Sequence, residues 1–316
     1  MARRVVLGIV LLCVVLVALY ANIFDRMAPA ALVRPASAAP QARAADAYRV
    51  LLVSVDGLAP AVMQDVPTPT LDRLGAEGLR ARHAETVMPS RTLPAHTSMI
   101  SGAPPRVHGI GWNRYEPWRR FEVQTLFSIC AREGWRCGLF AGKAKFAHLA
   151  EYEPGVEQWA LGTSADSVLA QAAVYLAESD PDFVLVHLAE VDLAGHAEGW
   201  GSEAQRAALE RIDTLLGGFL AGAQAAGSGR LAVLLTSDHG GHDTIHGTDD
   251  PRDLRIPWIL WGEGIEPGTL REPVSTLDTG PTLLALLGAK PPAAWQGRAR
   301  LRMDAAQAAS PREAAR

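Results

Sequence analysis

The stretch YRVLLVSVDG, Tyr48–Gly57, decides the fold. From Tyr48 to Val55 it is an apolar run without polar alternation, closed by an aspartate and a glycine. Such a strand is covered on both faces, the condition of a parallel sheet. Three more segments share this character: RCGLFAG (Arg136–Gly142), DFVLVHLAE (Asp182–Glu190) and RLAVLLTS (Arg230–Ser237). Helical patterns lie among them, in TPTLDRLGAEG, VQTLFSICAREG, SADSVLAQAAVYLAES, SEAQRAALERIDTLLGGFLAGAQAAG and LDTGPTLLALLG. Alternating strands and helices predict an α/β domain with a mostly parallel central sheet.

The ends read differently. Arg3 and Arg4 precede an uninterrupted apolar run from Val5 to Ala21. Residues 1–24 therefore read as an export signal or a membrane anchor. The run exceeds the ~7–15 apolar residues of a cleaved signal and approaches the ~20 of a membrane span, which favours an uncleaved anchor. The arginines would stay inside and leave the rest of the chain outside the cytoplasm, secreted if the segment is cleaved. Residues 25–47 form an Ala/Pro-rich linker, 48–303 the folded domain, and 304–316 a tail expected to be disordered. Cys130 and Cys137 allow either a disulfide or two small buried thiols. A net charge of −4 argues against a nucleic-acid polymer as partner.

Three of the strands run into an acid. The first gives Asp56 in SVDG, the third Asp192 and His196 in VDLAGHAEG, the fourth Asp238, His239, His242 and His246 in SDHGGHDTIHG. Ligands of open α/β sheets bind beyond the carboxyl ends of the strands, so these residues should converge on one rim. An aspartate after a strand is usually a turn former or helix cap. Three histidines and two aspartates within nine residues are unusual for a plain loop. Imidazole and carboxylate together suit Zn²⁺ or Mn²⁺, and the set is large enough for two ions. A hydroxyl-rich stretch after the first strand, MPSRTLPAHTSMISG (Met88–Gly102), is placed to face the same rim.

In combination these motifs resemble the nucleotide pyrophosphatase/phosphodiesterase branch of the alkaline phosphatase superfamily. The resemblance runs from about Val50 to Gly297 and includes PSRTLPAH, HGIGWN, VDLAGHAEG, SDHGGH and the later HGT. It implies a three-layer α/β sandwich and hydrolysis of phosphodiester or pyrophosphate bonds through a covalent phosphothreonine. It makes Thr92 the nucleophile and Asn113 a holder of the phosphoryl oxygen. It assigns one zinc to Asp56, Thr92, Asp238 and His239, and the other to Asp192, His196 and His246, with manganese as the substitute and His242 as the rival of His246. The implied partner is a small phosphate ester or pyrophosphate.

Two departures bear on the substrate. Leu93 stands where nucleotide-cleaving members carry an aromatic that stacks on the base, and Ala95 where they carry an asparagine. A phosphomonoester, a phosphonate or a lipid head group remains open as substrate, and so does a catalytically silent, metal-bound surface-binding domain. Sulfatases require a modifiable Cys or Ser, which TLPAH lacks, and alkaline phosphatases proper place a Ser at the nucleophile position.

Overall fold

The computed structural model describes residues 47–120 and 122–303. The expected anchor, the linker up to residue 46 and the tail from residue 304 lie outside them. In chain order the strands are β1 (Tyr48–Val55), β2 (Leu79–Ala81), β3 (Ala84–Glu85), β4 (Cys137–Ala141), β5 (Gln158–Leu161), β6 (Phe183–Leu188), β7 (Arg230–Thr236), β8 (Arg255–Ile256), β9 (Trp258–Gly262), β10 (Gly268–Leu270) and β11 (Val274–Ser275). The longer helices are α1 (Pro69–Glu77), α2 (Thr92–Ser101), α3 (Leu126–Glu133), α4 (Ala165–Ser179), α5 (Glu190–Glu198), α6 (Glu203–Ala225) and α7 (Thr279–Leu286).

The main sheet has the order β10-β2-β9-β7-β1-β6-β4-β5, and β9 alone runs against the others. A small second sheet, β11-β3-β8, lies apart from it in hydrogen bonding. The four strands legible as apolar runs, β7, β1, β6 and β4, lie side by side and parallel inside the sheet. The outer strands β2, β5 and β10 are short and carry no pattern of their own.

Successive side chains of a strand point to opposite faces, and β1 builds a core on each. Val50 and Leu52 join Met99 and Ile100 of α2, Phe127 of α3 and Leu283 of α7. Leu51, Val53 and Val55 join Leu71 and Leu74 of α1, Leu176 of α4 and Leu216 of α6. Each such buried Leu or Val side chain contributes about 1.5–3 kcal/mol. The result is helix layer, sheet, helix layer, as expected from the sequence.

Local chemistry sets the helix ends. Thr125 caps α3 by accepting the Ser128 N–H, and α3 stops at Gly134 with φ 69°, a left-handed turn natural for glycine. A disulfide between Cys130 and Cys137 then ties the end of α3 to the start of β4, which resolves the open choice between thiols and a bridge.

Register places the rim. Val55 pairs with Leu188, Ser54 with Thr236, and His187 with Ala141. Asp56, the start of α5, Asp238 and the segment Gly142–Lys143 therefore leave the sheet side by side.

Candidate metal centre

Asp56, Asp192, Asp238 and His239 are all buried at this rim. Each aspartate hands one oxygen to the protein and keeps the other free. Asp56 Oδ2 lies 2.7 Å from His187 Nε2 and 2.6 Å from Lys143 Nζ. Asp192 Oδ2 accepts from Lys143 Nζ at 2.5 Å. Asp238 Oδ1 accepts the Gly57 and His239 N–H groups, each at 3.1 Å. The other oxygens, Asp56 Oδ1, Asp192 Oδ1 and Asp238 Oδ2, have no hydrogen-bond partner, and neither has His239 Nε2.

The histidines repeat the arrangement. Nδ1 of His239 donates to Gly240 O at 2.8 Å, that of His196 to Thr244 O at 2.9 Å, and that of His246 to Ser90 O at 2.9 Å. A carbonyl at Nδ1 fixes the tautomer that leaves Nε2 as a lone pair. His239 Nε2 lies 3.3 Å from Asp238 Oδ2 and 3.4 Å from Asp56 Oδ1. His196 Nε2 and His246 Nε2 lie 3.5 and 3.6 Å from Asp192 Oδ1.

Buried polar atoms without partners are costly unless something arrives to satisfy them. Two groups of donors converge tightly enough for an ion: Asp192, His196 and His246, and Asp56, Asp192 and His239. The first is the set expected from the sequence for one ion. The second brings Asp192 towards both positions. Mixed carboxylate and imidazole donors fit Zn²⁺ or Mn²⁺. His242 belongs to neither group, and its Nδ1 pairs with Asp253 Oδ1 at 2.7 Å.

Thr92 opens α2, whose N-terminal N–H groups favour an anion. Its carbonyl accepts from His96 Nδ1 at 2.7 Å, and the same Nδ1 lies 3.7 Å from Asp238 Oδ2. That histidine joins the start of α2 to Asp238, while its Nε2 contacts Ser54 Oγ at 2.8 Å. Asn113 Oδ1 accepts the Leu93 N–H at 2.9 Å, which leaves its amide N–H groups free to face a ligand. Leu93 itself is fully buried in the core and offers no surface for a base.

Several contributors stand outside the ligand set expected from the sequence. His187, on β6, anchors Asp56. Lys143 and Lys145 follow β4, and Lys145 Nζ lies 3.5 Å from Thr92 Oγ1. Their only hint was a pair of lysines at a strand end. Trp200 donates to Gly57 O at 2.9 Å and sets its ring 5.3 Å from His196 and 6.0 Å from His246. Gly57 has φ +71°, and a Cβ there would stand 2.9 Å from Asp192 Cβ, so both conformation and space exclude a side chain.

The electrostatics follow from this crowding. Full burial would raise the Asp56 carboxyl, but the Lys143 charge and the hydrogen bond and charge of His187 hold it well below the usual carboxylate range. Burial and then the Asp56 charge push Asp192 up. Burial works to lower Lys143, yet the charges of Asp56, Asp192 and Asp238 raise it above its ordinary value. Burial, then the charge of His239, lowers His246 to about 4, which keeps it neutral and able to ligate.

Comparison with known proteins bears on the family and the fold. The chain is 26% identical over 246 residues to human ectonucleotide pyrophosphatase/phosphodiesterase family member 7, covering 68% of this chain and 52% of that one. It is 26% identical over 222 residues to the mouse bis(5'-adenosyl)-triphosphatase enpp4, covering 61% and 47%. The chain thus spans about half the length of the curated relatives it matches. An inactive threonine-to-alanine variant of murine ectonucleotide pyrophosphatase/phosphodiesterase 5, in complex with AMP, has the same fold, with a TM-score of 0.67 at 15% identity over 78% of this chain and 96% of that one. Residues 50–255 match the type I phosphodiesterase/nucleotide pyrophosphatase family, and the chain belongs to that family.

Proposed function

We propose that this chain hydrolyses phosphodiester or pyrophosphate bonds of small molecules, with Thr92 as covalent nucleophile beside a two-zinc site. One observation carries the reading. Four buried donor atoms without partners cluster around His239 Nε2, with Asp238 Oδ2, Asp56 Oδ1 and Asp192 Oδ1 3.3, 3.4 and 3.9 Å from it, and His96 links Asp238 to Thr92 at the start of α2.

In this reading Asp56, Thr92, Asp238 and His239 hold one ion, and Asp192, His196 and His246 the other. Bound there, zinc or manganese would lower the pKa of the hydroxyl and oppose the negative charge of the phosphoryl group. The chain's own groups do the rest. Thr92 Oγ1 forms the bond to phosphorus as the bond to the leaving oxygen breaks. The amide of Asn113, oriented through its Oδ1, donates to a phosphoryl oxygen. The Thr92 hydroxyl proton passes to water and the leaving oxygen takes one from water. A second water then adds its oxygen to phosphorus, the bond to Thr92 Oγ1 breaks as that oxygen regains a proton, and a phosphomonoester leaves.

The buried Leu93 gives no support to base stacking, so nucleotides hold no special place among the substrates. Export is part of the reading. The Cys130–Cys137 disulfide suits an oxidising compartment. Among the described residues no helix is long and apolar enough to cross a membrane.

The test is a substrate panel on the zinc-loaded chain: bis(p-nitrophenyl) phosphate, p-nitrophenyl phosphate and a p-nitrophenyl phosphonate, with Thr92→Ala as control. Diester turnover that vanishes in the variant supports the reading. Binding of zinc without turnover of any ester would leave the silent binding domain as the better account.

A further inference from the structure

We infer that Lys145 binds substrate and sets specificity, so that the site accepts a dianionic phosphoryl group, that of a phosphomonoester or a terminal phosphate, as well as the monoanionic group of a diester. The inference rests on the hydrolase reading above and narrows its substrate class.

The two lysines of GKAKF differ in one respect. Lys143 is neutralised by the protein, with Nζ 2.6 Å from Asp56 and 2.5 Å from Asp192. Lys145 makes no ion pair among the described residues. It is half-buried on the single 3₁₀ turn Ala144–Phe146, and its Nζ lies 3.5 Å from Thr92 Oγ1. A partly desolvated ammonium without a counter-ion is unfavourable until an anion reaches it. The place that anion would occupy is the phosphoryl position next to Thr92.

Oxygen count then separates the substrates. A diester carries one negative charge on two non-bridging oxygens. A monoester dianion carries two charges on three. Asn113 can donate to one oxygen, and the metal ligands surround the position of others. The additional anionic oxygen of a monoester requires one more cation, and an ammonium answers as a compact point charge. Chemically the step is unchanged. The Thr92 Oγ1–phosphorus bond forms, the ester bond breaks with its electron pair going to the leaving oxygen, and water supplies the protons and the oxygen of the released phosphate.

The experiment uses the zinc-loaded full chain as wild type, Lys145→Met and Lys145→Arg. Calorimetry measures binding of inorganic phosphate and of dimethyl phosphate, the dianionic and monoanionic probes. Kinetics compares kcat/KM for p-nitrophenyl phosphate and methyl p-nitrophenyl phosphate. Lys145→Met should weaken phosphate about tenfold more than dimethyl phosphate, and lower the monoester kcat/KM at least about tenfold more than that of the diester. Lys145→Arg should restore part of both ratios. Equal losses on the two probes, or none, would overturn the inference. So would loss of zinc from Lys145→Met by elemental analysis, which would make the lysine a structural residue. If the wild type hydrolyses neither ester, the hydrolase reading fails by itself. The two binding ratios still decide the role of Lys145, and an unchanged ratio overturns it.

Discussion

His187 Nε2 stands 2.7 Å from Asp56 Oδ2, in a place where both side chains are closed to solvent. The Gly142 N–H points at His187 Nδ1 from 3.4 Å, so the imidazole proton belongs on Nε2 and is donated to the carboxylate. One oxygen of Asp56 is thereby fixed, and the other is turned towards His239. A partner of this kind commonly contributes 10- to 100-fold to metal affinity. His187→Phe should therefore weaken zinc binding by roughly that factor, read by competition with a chromophoric chelator. His187→Gln, which can still donate, should fall between the two. Wild-type affinity in His187→Phe would show that Asp56 is oriented by Lys143 alone.

Thr92→Ala and Asp238→Ala should separate chemistry from metal binding. The first should keep its zinc and lose turnover by about 10³-fold or more, the scale of a removed nucleophile. The second should lose zinc, read by elemental analysis, because Asp238 Oδ2 is one of the unpartnered atoms. A Thr92→Ala protein with wild-type rates would remove the nucleophile assignment.

Trp200 closes the back of the histidine pair. Gly57, Gly195 and Gly241 all pack against its ring so closely that a Cβ at any of them would collide with it or nearly so. Trp200→Ala should cost about 2–4 kcal/mol of stability, measured by urea unfolding. It should also lower zinc occupancy by about half, with loss from the Asp192, His196 and His246 position alone. Equal loss from both positions would point to general unfolding of the rim.

Glu153 makes stability depend on pH. Burial pushes its carboxyl up to about 7, against a small lowering by the Thr125 hydrogen bond. The folded state thus holds a proton that the unfolded chain releases near 4.5. The stability this contributes is complete below that pH and is lost as pH rises through about 7. The loss is of order 3 kcal/mol between pH ~4.5 and 8. Glu153→Gln should flatten this slope in urea titrations. An unchanged slope would assign the pH dependence to another group.

Much of this was open to reading along the chain. Strands β1 and β7 fall within one residue of the apolar runs Tyr48–Val55 and Arg230–Ser237, because a strand covered on both faces must be apolar throughout. The acids that follow them were legible for the same reason, since carboxyl ends of parallel strands share a rim. Short edge strands were not legible. β2 and β10 have three residues each, and their pairing is decided by the neighbour that accepts them. The site partners were hidden in the same way. Nothing around His187 or Trp200 in the sequence distinguishes them from core or loop residues, and for Lys143 and Lys145 the only hint was a lysine pair at a strand end.

The sequence by itself determined which side chains could hold metal and that they would meet, because strand ends and residue chemistry are local properties. Tertiary structure alone decided how they meet. The order β1-β6-β4 brings Gly142 and the two lysines beside Asp56 and Thr92. It decides which oxygen of each aspartate is held and which is left free, and that Leu93 turns into the core rather than towards a substrate. Those are consequences of long-range pairing and burial, which no local pattern encodes.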